Sequence, residues 1–449
     1  MLKCIPIMKR AFVFLISLSF LVPAAAQDSL TLQQAIEASL KNNYDILLTR
    51  NDSASYALDN SYAWAVFLPQ LNGTAGTNWN KNNQQLKFVK RAGGGDSSVT
   101  RDAVKTHVVN YSVNLNWTLF DGLKMFATRD KVAELEKLGD LGVKTQIVNT
   151  VAQVINNYYI IVRQKQQLQA ILEQIGLNED RVKLAEKKIS VGLGSKPELL
   201  QARVDLNAQR AAQLQQLTLI AQLRERLNQL IGFRTGAVYQ VSDSIPLNMG
   251  LQFGEFAQKF EDSNPSLLFA KKNIDIARIT LRERKADLFP ILSFNSSYNF
   301  TQNDNSVAVN INQPFFNRNK GFNYGFGLNV PILNGFNTKR LIKQAEIDIR
   351  YQQLVYANQR SQIDMGISNA FKDYELQKQL LQLEDENIAL AKENVMIARE
   401  RFKQGVSTYL ELREAQFSLQ DAYNRLIAAR YNTKLAETEL LRLKGDLVR

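Results

Sequence analysis

The sequence predicts a mixed α and β membrane protein of two tandem repeats, in which four β-strands per chain pool with those of other copies and long α-helices make up the rest. Three observations lead there: an export signal with no membrane-spanning helix after it, four strand-length stretches of strict alternation, and two long proline-free helical stretches.

The export signal comes first. Lys3, Lys9 and Arg10 form a basic start, Ala11 to Val22 an apolar run, and Ala24-Ala25-Ala26 a cleavage site before Gln27, so residues 1–26 read as a signal peptide. The only cysteine, Cys4, goes with it. A mature chain without cysteine has no disulfides, thiolate zinc sites, thiol catalysis or lipid anchor. Cleavage removes three basic residues and no acidic ones, lowering the formal charge from +12 to +9. The remaining Lys and Arg are interleaved with Glu, Asp and Gln rather than gathered in a patch, which argues for a solvated helical surface and against nucleic acid. After residue 26 no run approaches the roughly 18 apolar residues of a spanning helix. An exported chain of this kind is soluble or a β-barrel, and the strands decide.

One unit is written twice. Phe67-Leu68-Pro69 and Leu288-Phe289-Pro290 each close a helical stretch and open an alternating one, at an offset of 221. Leu119-Phe120-Asp121-Gly122 matches Ile332-Leu333-Asn334-Gly335, and Gly192 to Leu199 matches Gly405 to Leu412, both at an offset of 213. The first repeat is set at 27–231, with strands at about 70–79 and 106–120 and a hairpin tip at 192–197. A linker covers 232–253. The second repeat is set at 254–444, with strands at about 291–302 and 321–333 and a tip at 405–409, and 445–449 form a tail.

In the strand from 109 to 119 the apolar set is Val109, Tyr111, Val113, Leu115, Trp117 and Leu119, with Asn110, Ser112, Asn114, Asn116 and Thr118 between. Phe322 to Ile332 and Leu292 to Phe300 repeat the pattern, and a weaker strand runs through Leu71, Ala75 and Trp79. An aromatic-rich face opposite an Asn/Ser face fits a strand between lipid and a wet lumen. Lipid is then expected at Tyr111, Leu115, Trp117, Phe294, Phe326 and Leu328, and the lumen at Asn114, Asn116, Asn295 and Asn329. Even the smallest closed outer-membrane barrels need about eight strands, so the chain must pool strands with its copies; a cyclic trimer giving twelve is the natural solution. Asn80 to Lys105, with Gly93-Gly94-Gly95, and Gln302 to Lys320 read as polar loops. The glycine run lacks the GK[ST] of a phosphate loop, and no cofactor motif is present.

Lys124 to Ser190 and Thr338 to Gln404 are proline-free; 67 residues at 1.5 Å each span roughly 100 Å. On the second return helix Leu412, Leu419, Leu426 and Thr433 recur every seven residues, with Ala415, Ala422, Ala429 and Ala436 three beyond each. That is a close-packing seam. Leu199, Leu206, Gln213, Ile220 and Leu227 keep the same period in the first repeat.

Taken together, the opening Leu30-Thr31-Leu32-Gln33-Gln34-Ala35-Ile36, the junctions at Pro69 and Pro290, the tandem halves and two glycine tips make the chain resemble the TolC-type outer-membrane efflux proteins. The tips are Val191-Gly192-Leu193-Gly194 with Glu198 six residues after Gly192, and Gln404-Gly405-Val406-Ser407 with Glu411 at the same place. The resemblance implies a homotrimer whose twelve-stranded outer-membrane barrel continues as a long periplasmic α-helical barrel. It also implies tip-first docking onto a periplasmic adaptor and an inner-membrane pump. Adaptor contact then falls to Gly192, Leu193, Gly194 and Ser195 and to Gly405, Val406, Ser407 and Thr408. Glu411 and Glu414, with Glu198 as first-half counterpart, match acids that line the gated periplasmic entrance. Some members carry a basic residue where Ser407 stands here, so that lock is not expected.

Two rival readings fare worse. An enzyme would have to use His107, which has no paired Ser or Cys in a recognisable setting, or Glu411 and Glu414, which share one helix face instead of flanking a substrate. A non-conducting coiled-coil scaffold or adhesin would explain the heptads but not the alternating strands.

Overall fold

The computed structural model describes residues 29–88, 97–257, 260–307 and 314–447. The signal segment with its cut before Gln27 and the glycine run 93–95 lie outside them. The chain divides into two compact units.

The sheet unit comprises Arg50–Gly142 and Ser266–Gln359. Its sheet is antiparallel in the order β1-β2-β3-β4, with β1 Gln70–Phe88, β2 Ser97–Phe120, β3 Ile291–Asn305 and β4 Phe316–Asn329. The strands overrun the expected ones at the hairpin ends. Lys81 pairs with Lys105, Gln84 with Arg101 and Gln302 with Arg318, so much of Asn80–Lys105 and Gln302–Lys320, read as loop, is strand. The backbone ladder of an antiparallel hairpin forms whatever the side chains are, whereas alternation is visible only where one face is apolar. At its other end β4 stops at Asn329 instead of 333, because Pro331 has no amide to continue the ladder.

The register gathers the alternating residues onto two faces. Leu71, Leu115 and Ser296 stand in one row across β1, β2 and β3, and Phe294 pairs with both Trp117 and Phe326. The opposite face is Asn, Ser, Thr and Gly. There Thr74 and Ser112 hydroxyls lie 2.7 Å apart, and Asn114 donates to Ser112 and Asn299 to Ser297, each at 2.9 Å. A bulge leaves Leu119 out of the β2–β3 ladder and brings Phe120 opposite Leu292.

Each strand pair feeds its helix through the same turn. Gly122 and Leu123 are both left-handed (φ 69° and 67°), as are Gly335 and Phe336 (62° and 60°). The helices that follow are α3, Lys124–Ser190, and α8, Asn337–Lys403. Before the sheet come α1, Leu32–Asn42, and α2, Tyr44–Ser61; α4 is Lys196–Ile231, and the short α5 and α6 are Phe253–Ala257 and Phe260–Ser263. Two more α-helices among the described residues are α7 at Pro265–Ala286 and α9 at Tyr409–Lys444. Within the sheet unit, charges staple α3 to α7: Arg282 donates to Asp130 at 2.8 Å, Lys272 to Glu134 at 2.7 Å and Lys131 to Glu283 at 2.9 Å. Hydrogen bonds from Arg282 and Arg129 hold Asp130 below the usual carboxylate range.

The helical unit comprises 29–49, 143–265 and 360–447 of the described residues. Every member of the α9 seam from Leu412 to Ala436 is buried. In one buried cluster with it stand Leu381, Ile388, Val395 and Phe402 of α8, which with Ile367 and Tyr374 make a stripe also spaced by seven and buried throughout. The two helices form an antiparallel coiled coil with alanines on one side. A second core joins α3 to α4 and α1 through Val151, Ile155, Tyr158, Ile161, Leu227, Ile231 and Ala35.

The two strand-to-helix glycines differ in surroundings. A Cβ at Gly122 would lie 2.6 Å from the Ala286 carbonyl oxygen, while one at Gly335 meets nothing within 4 Å. Gly335→Ala should therefore cost about 1–2 kcal/mol for its left-handed backbone alone, and Gly122→Ala distinctly more. Denaturant unfolding of the two variants side by side measures the gap, and equal losses would refute the turn's close approach.

Candidate functional site

The two hairpin tips of the helical unit are built alike. After α3, Gly192 (φ 75°) donates to Ile189 O at 3.0 Å and Leu193 to Lys188 O at 2.8 Å. After α8, Gly405 (φ 74°) donates to Phe402 O at 3.2 Å and Val406 to Arg401 O at 3.0 Å. Both are Schellman closures, which need a left-handed residue that glycine supplies without strain. Each return helix is then capped: the Ser195 hydroxyl accepts from Glu198 N at 3.4 Å, with Pro197 in the first turn, and the Thr408 hydroxyl accepts from Glu411 N at 3.2 Å. Leu193 and Val406, which follow the glycines, are 81% and 70% exposed. In ordinary Schellman closures that residue packs back on the helix; here two apolar side chains are offered outward.

Glu411 and Glu414 are both exposed on the first turns of α9, and Glu198 is half-buried on α4. Glu411 accepts a hydrogen bond from the buried Ser407 hydroxyl at 2.6 Å. None of the three glutamates has an ion-pair partner among the described residues. Arg413, the neighbour best placed to neutralise them, turns to Asp205 at 3.3 Å instead.

That carboxylate is the centre of a buried polar cluster a few turns above the tips. The Arg181 guanidinium, 3% exposed as a residue, donates to Asp205 at 2.7 Å and to the Gln416 amide oxygen at 2.9 Å. Tyr409 donates its hydroxyl to Asp205 at 3.1 Å, and its ring lies 5.1 Å beneath the same guanidinium. Burial, with Asp205 next to it, pushes the Tyr409 phenol up to about 12, so it stays a neutral donor. A cavity of about 70 Å³ adjoins, lined among others by Gln174, Asn178 and Gln209. Around it Arg181 Nε, Arg413 Nε, Gln174 Nε2 and Gln209 Oε1 find no hydrogen-bond partner among the described residues. Nearer the tips, Lys188 donates to Phe402 O at 2.9 Å with its ammonium 3.5 Å from that ring's centre. These contacts tie α3 and α4 to α8 and α9.

The family described as "Outer membrane efflux protein" matches residues 35–233 and again 257–446, which together make up most of the chain. The chain belongs to that family. Outer membrane protein TolC of Vibrio cholerae is 21% identical over 407 residues, covering 89% of this chain and 86% of that protein. Alkaline protease secretion protein AprF of Pseudomonas aeruginosa is 22% identical over 355 residues, covering 75% and 69%. The solved structure of the outer membrane protein VceC of Vibrio cholerae superposes with a TM-score of 0.71 at 14% identity, over 92% of this chain and 96% of that one. Its fold is shared. This efflux-family chain is an outer-membrane channel protein rather than an enzyme.

His107 has a structural setting. It lies well inside β2, since that strand starts at Ser97, stacked on Trp79 at 4.8 Å with its Nε2 2.8 Å from the Thr77 hydroxyl. The cluster around Asp205 escaped sequence reasoning for a physical reason. Gln174, Asn178 and Arg181 are spaced as a helical stripe, but a polar stripe looks like a solvated face until a partner helix covers it.

Removing one partner of a buried ion pair strands the other. Asp205→Ala should cost about 3–5 kcal/mol locally and raise amide exchange in the first turns of α9. The double variant Arg181→Met/Asp205→Leu should recover most of that loss. No recovery would show that Asp205 acts otherwise than through Arg181.

Proposed function

We propose that this chain is the exit duct of a tripartite efflux or type I secretion system, working as a homotrimer with a periplasmic adaptor and an inner-membrane pump. The observation that carries the reading is the sheet: it has an apolar face and two strands, β1 and β4, that each pair on one side only. An open edge in lipid leaves a row of unpaired backbone groups. Joining β4 of one copy to β1 of the next removes every edge at once, and three copies close twelve strands, with the apolar face to lipid and the Asn/Ser face lining the pore. A coiled-coil scaffold has no use for such a sheet.

The helical hairpins then continue the duct into the periplasm and end at the tips. Exposed Leu193 and Val406, with Gly192, Gly194, Ser195, Gly405, Ser407 and Thr408 holding the turns, offer an adaptor a small apolar knob on each hairpin. Glu411 and Glu414, together with Glu198, have no ion-pair partner among the described residues and in a narrow trimeric entrance would form a ring of carboxylates favouring cations. Opening is a movement of the α8–α9 pair against α3 and α4, at the contact held by Arg181, Asp205 and Tyr409.

Purified trimers in planar bilayers should give discrete conductance steps. Glu411→Gln/Glu414→Gln should weaken cation selectivity and divalent-ion block by severalfold or about that order; unchanged selectivity and block would place the constriction elsewhere. Leu193→Asp and Val406→Asp should reduce export in cells while trimer yield stays normal, and full export would remove the tips from the adaptor interface.

A further inference from the structure

The apolar face of the sheet ends on cations. Lys81 stands opposite Lys105, one same-face row beyond the pair Trp79 and His107. On the other hairpin Lys320 stands opposite Phe300 and Arg318 opposite Gln302, one and two same-face positions beyond Phe322. Because β2 and β3 pair Tyr111 with Phe300 and His107 with Asp304, all these side chains share the face that carries Tyr111, Phe322 and Phe326. Lys81, Lys105, Arg318 and Lys320 are exposed, and none of the four has an ion-pair partner among the described residues. Among the described residues the carboxylate in this zone of the face is Asp304, already engaged by Gln302 at 2.9 Å and lying 3.9 Å from His107.

Height places the row. Ten residues from Leu119 to Val109, at about 3.4 Å each on a strand tilted by about 40°, rise roughly 25 Å, the height of a barrel's apolar band. Lys105, four residues farther, then stands roughly 10 Å beyond it, at the level of headgroups. The cations on β4 are propped by rings instead of carboxylates: the Arg318 guanidinium lies 4.9 Å from the Phe316 ring and donates to Gln302 Oε1 at 3.1 Å, and the Lys320 ammonium lies 5.9 Å from Phe300. Such contacts fix the position of a cation without neutralising it, leaving donors free for a phosphate, which a guanidinium matches in fork geometry.

We propose that Lys81, Lys105, Arg318 and Lys320 form a phosphate-binding belt that seats the headgroups of anionic lipid in the leaflet at the hairpin end of the barrel. In the trimer the belt closes into a ring. The inference rests on the barrel reading above, and the test separates the two. The full chain is reconstituted in phosphatidylcholine vesicles, and the association of spin-labelled phosphatidic acid with the protein is compared with that of spin-labelled phosphatidylcholine. Quenching of tryptophan emission by brominated acyl chains reports in parallel whether Trp79 and Trp117 are in the bilayer.

The belt predicts a preference for phosphatidic acid of about fivefold or more, lost at high salt and reduced towards parity in K81Q/K105Q/R318Q/K320Q. Quenching is unchanged in that variant. Quenching without any preference in the wild-type chain overturns the belt and leaves the barrel. Absence of quenching overturns the barrel and the belt with it. Displacement of the labelled lipid by millimolar inorganic phosphate at constant ionic strength would make this a free-phosphate site and overturn the lipid assignment. Should the quadruple variant fail to insert, the wild-type preference and its salt dependence still decide.

Discussion

The constraint on which this molecule depends is that a backbone amide or carbonyl in lipid must have a partner. Four strands cannot give one to every group, because β1 and β4 each keep a bare side. Everything else accommodates that deficit. The repeat supplies strands in pairs, the apolar face of each pair turns one way, and in the proposed trimer self-association becomes a requirement of folding in the membrane rather than an addition to it. A chain that kept its sheet in water would expose Leu71, Tyr111, Phe322 and Phe326 on one face and two open edges as well. That combination invites aggregation, which a membrane destination avoids.

Duplication shows most clearly where geometry leaves least freedom. Both strand-to-helix turns use two consecutive left-handed residues, the second a Leu in one case and a Phe in the other. Both tips use a left-handed glycine, the same pair of closing hydrogen bonds and a hydroxyl cap on the return helix. The repeats differ where packing differs. The second hairpin has an uninterrupted seam of buried residues on α9, while the first admits the half-buried Gln213. A glutamine in such a seam weakens the hold of α4 on its neighbour, and the core with α1 around Leu227 and Ile231 compensates farther along.

Much of this was legible in the sequence. The bounds of α3 and the α9 seam follow from the absence of proline and from a seven-residue period, and the two faces of the sheet follow from alternation; these signals are local and strong. The strand ends were not legible, because Asn80 to Lys105 carries no apolar face to reveal its ladder. The α8 stripe from Ile367 to Phe402 keeps as strict a period as the α9 seam, but its members are chemically mixed and Tyr374 does not announce a core position. At the tips, glycine spacing locates Gly192 and Gly405, while the caps formed by Ser195 and Thr408 come from the structure. Arg181 and Asp205, 24 residues apart on two helices, meet only once the hairpin has closed.

The contrast between two contacts of α9 bears on how such a duct could open. Towards α8 it presents leucines and alanines against an apolar stripe, so parting them exposes hydrocarbon and leaves cavities, with no alternative partner available. Towards α3 and α4 the contact near the tip is mixed: Ala202, Leu177 and Leu184 pack on the α9 cluster, and beside them Arg181 divides its donors between Asp205 and Gln416 while its own Nε, Gln174 Nε2 and Gln209 Oε1 lack hydrogen-bond partners among the described residues. A network already short of partners can trade them at small cost, since any rearrangement that satisfies an orphan offsets one that is lost. In the proposed opening, the plane of easy movement is the one between the α8–α9 pair and the first hairpin. Lys188, bound to the last turn of α8 through Phe402 O, spans that same plane beside the tips. An adaptor that grips Val406 and Leu193 would pull on both sides of it, and the exposed carboxylates of Glu411 and Glu414 would travel with α9 as it moved.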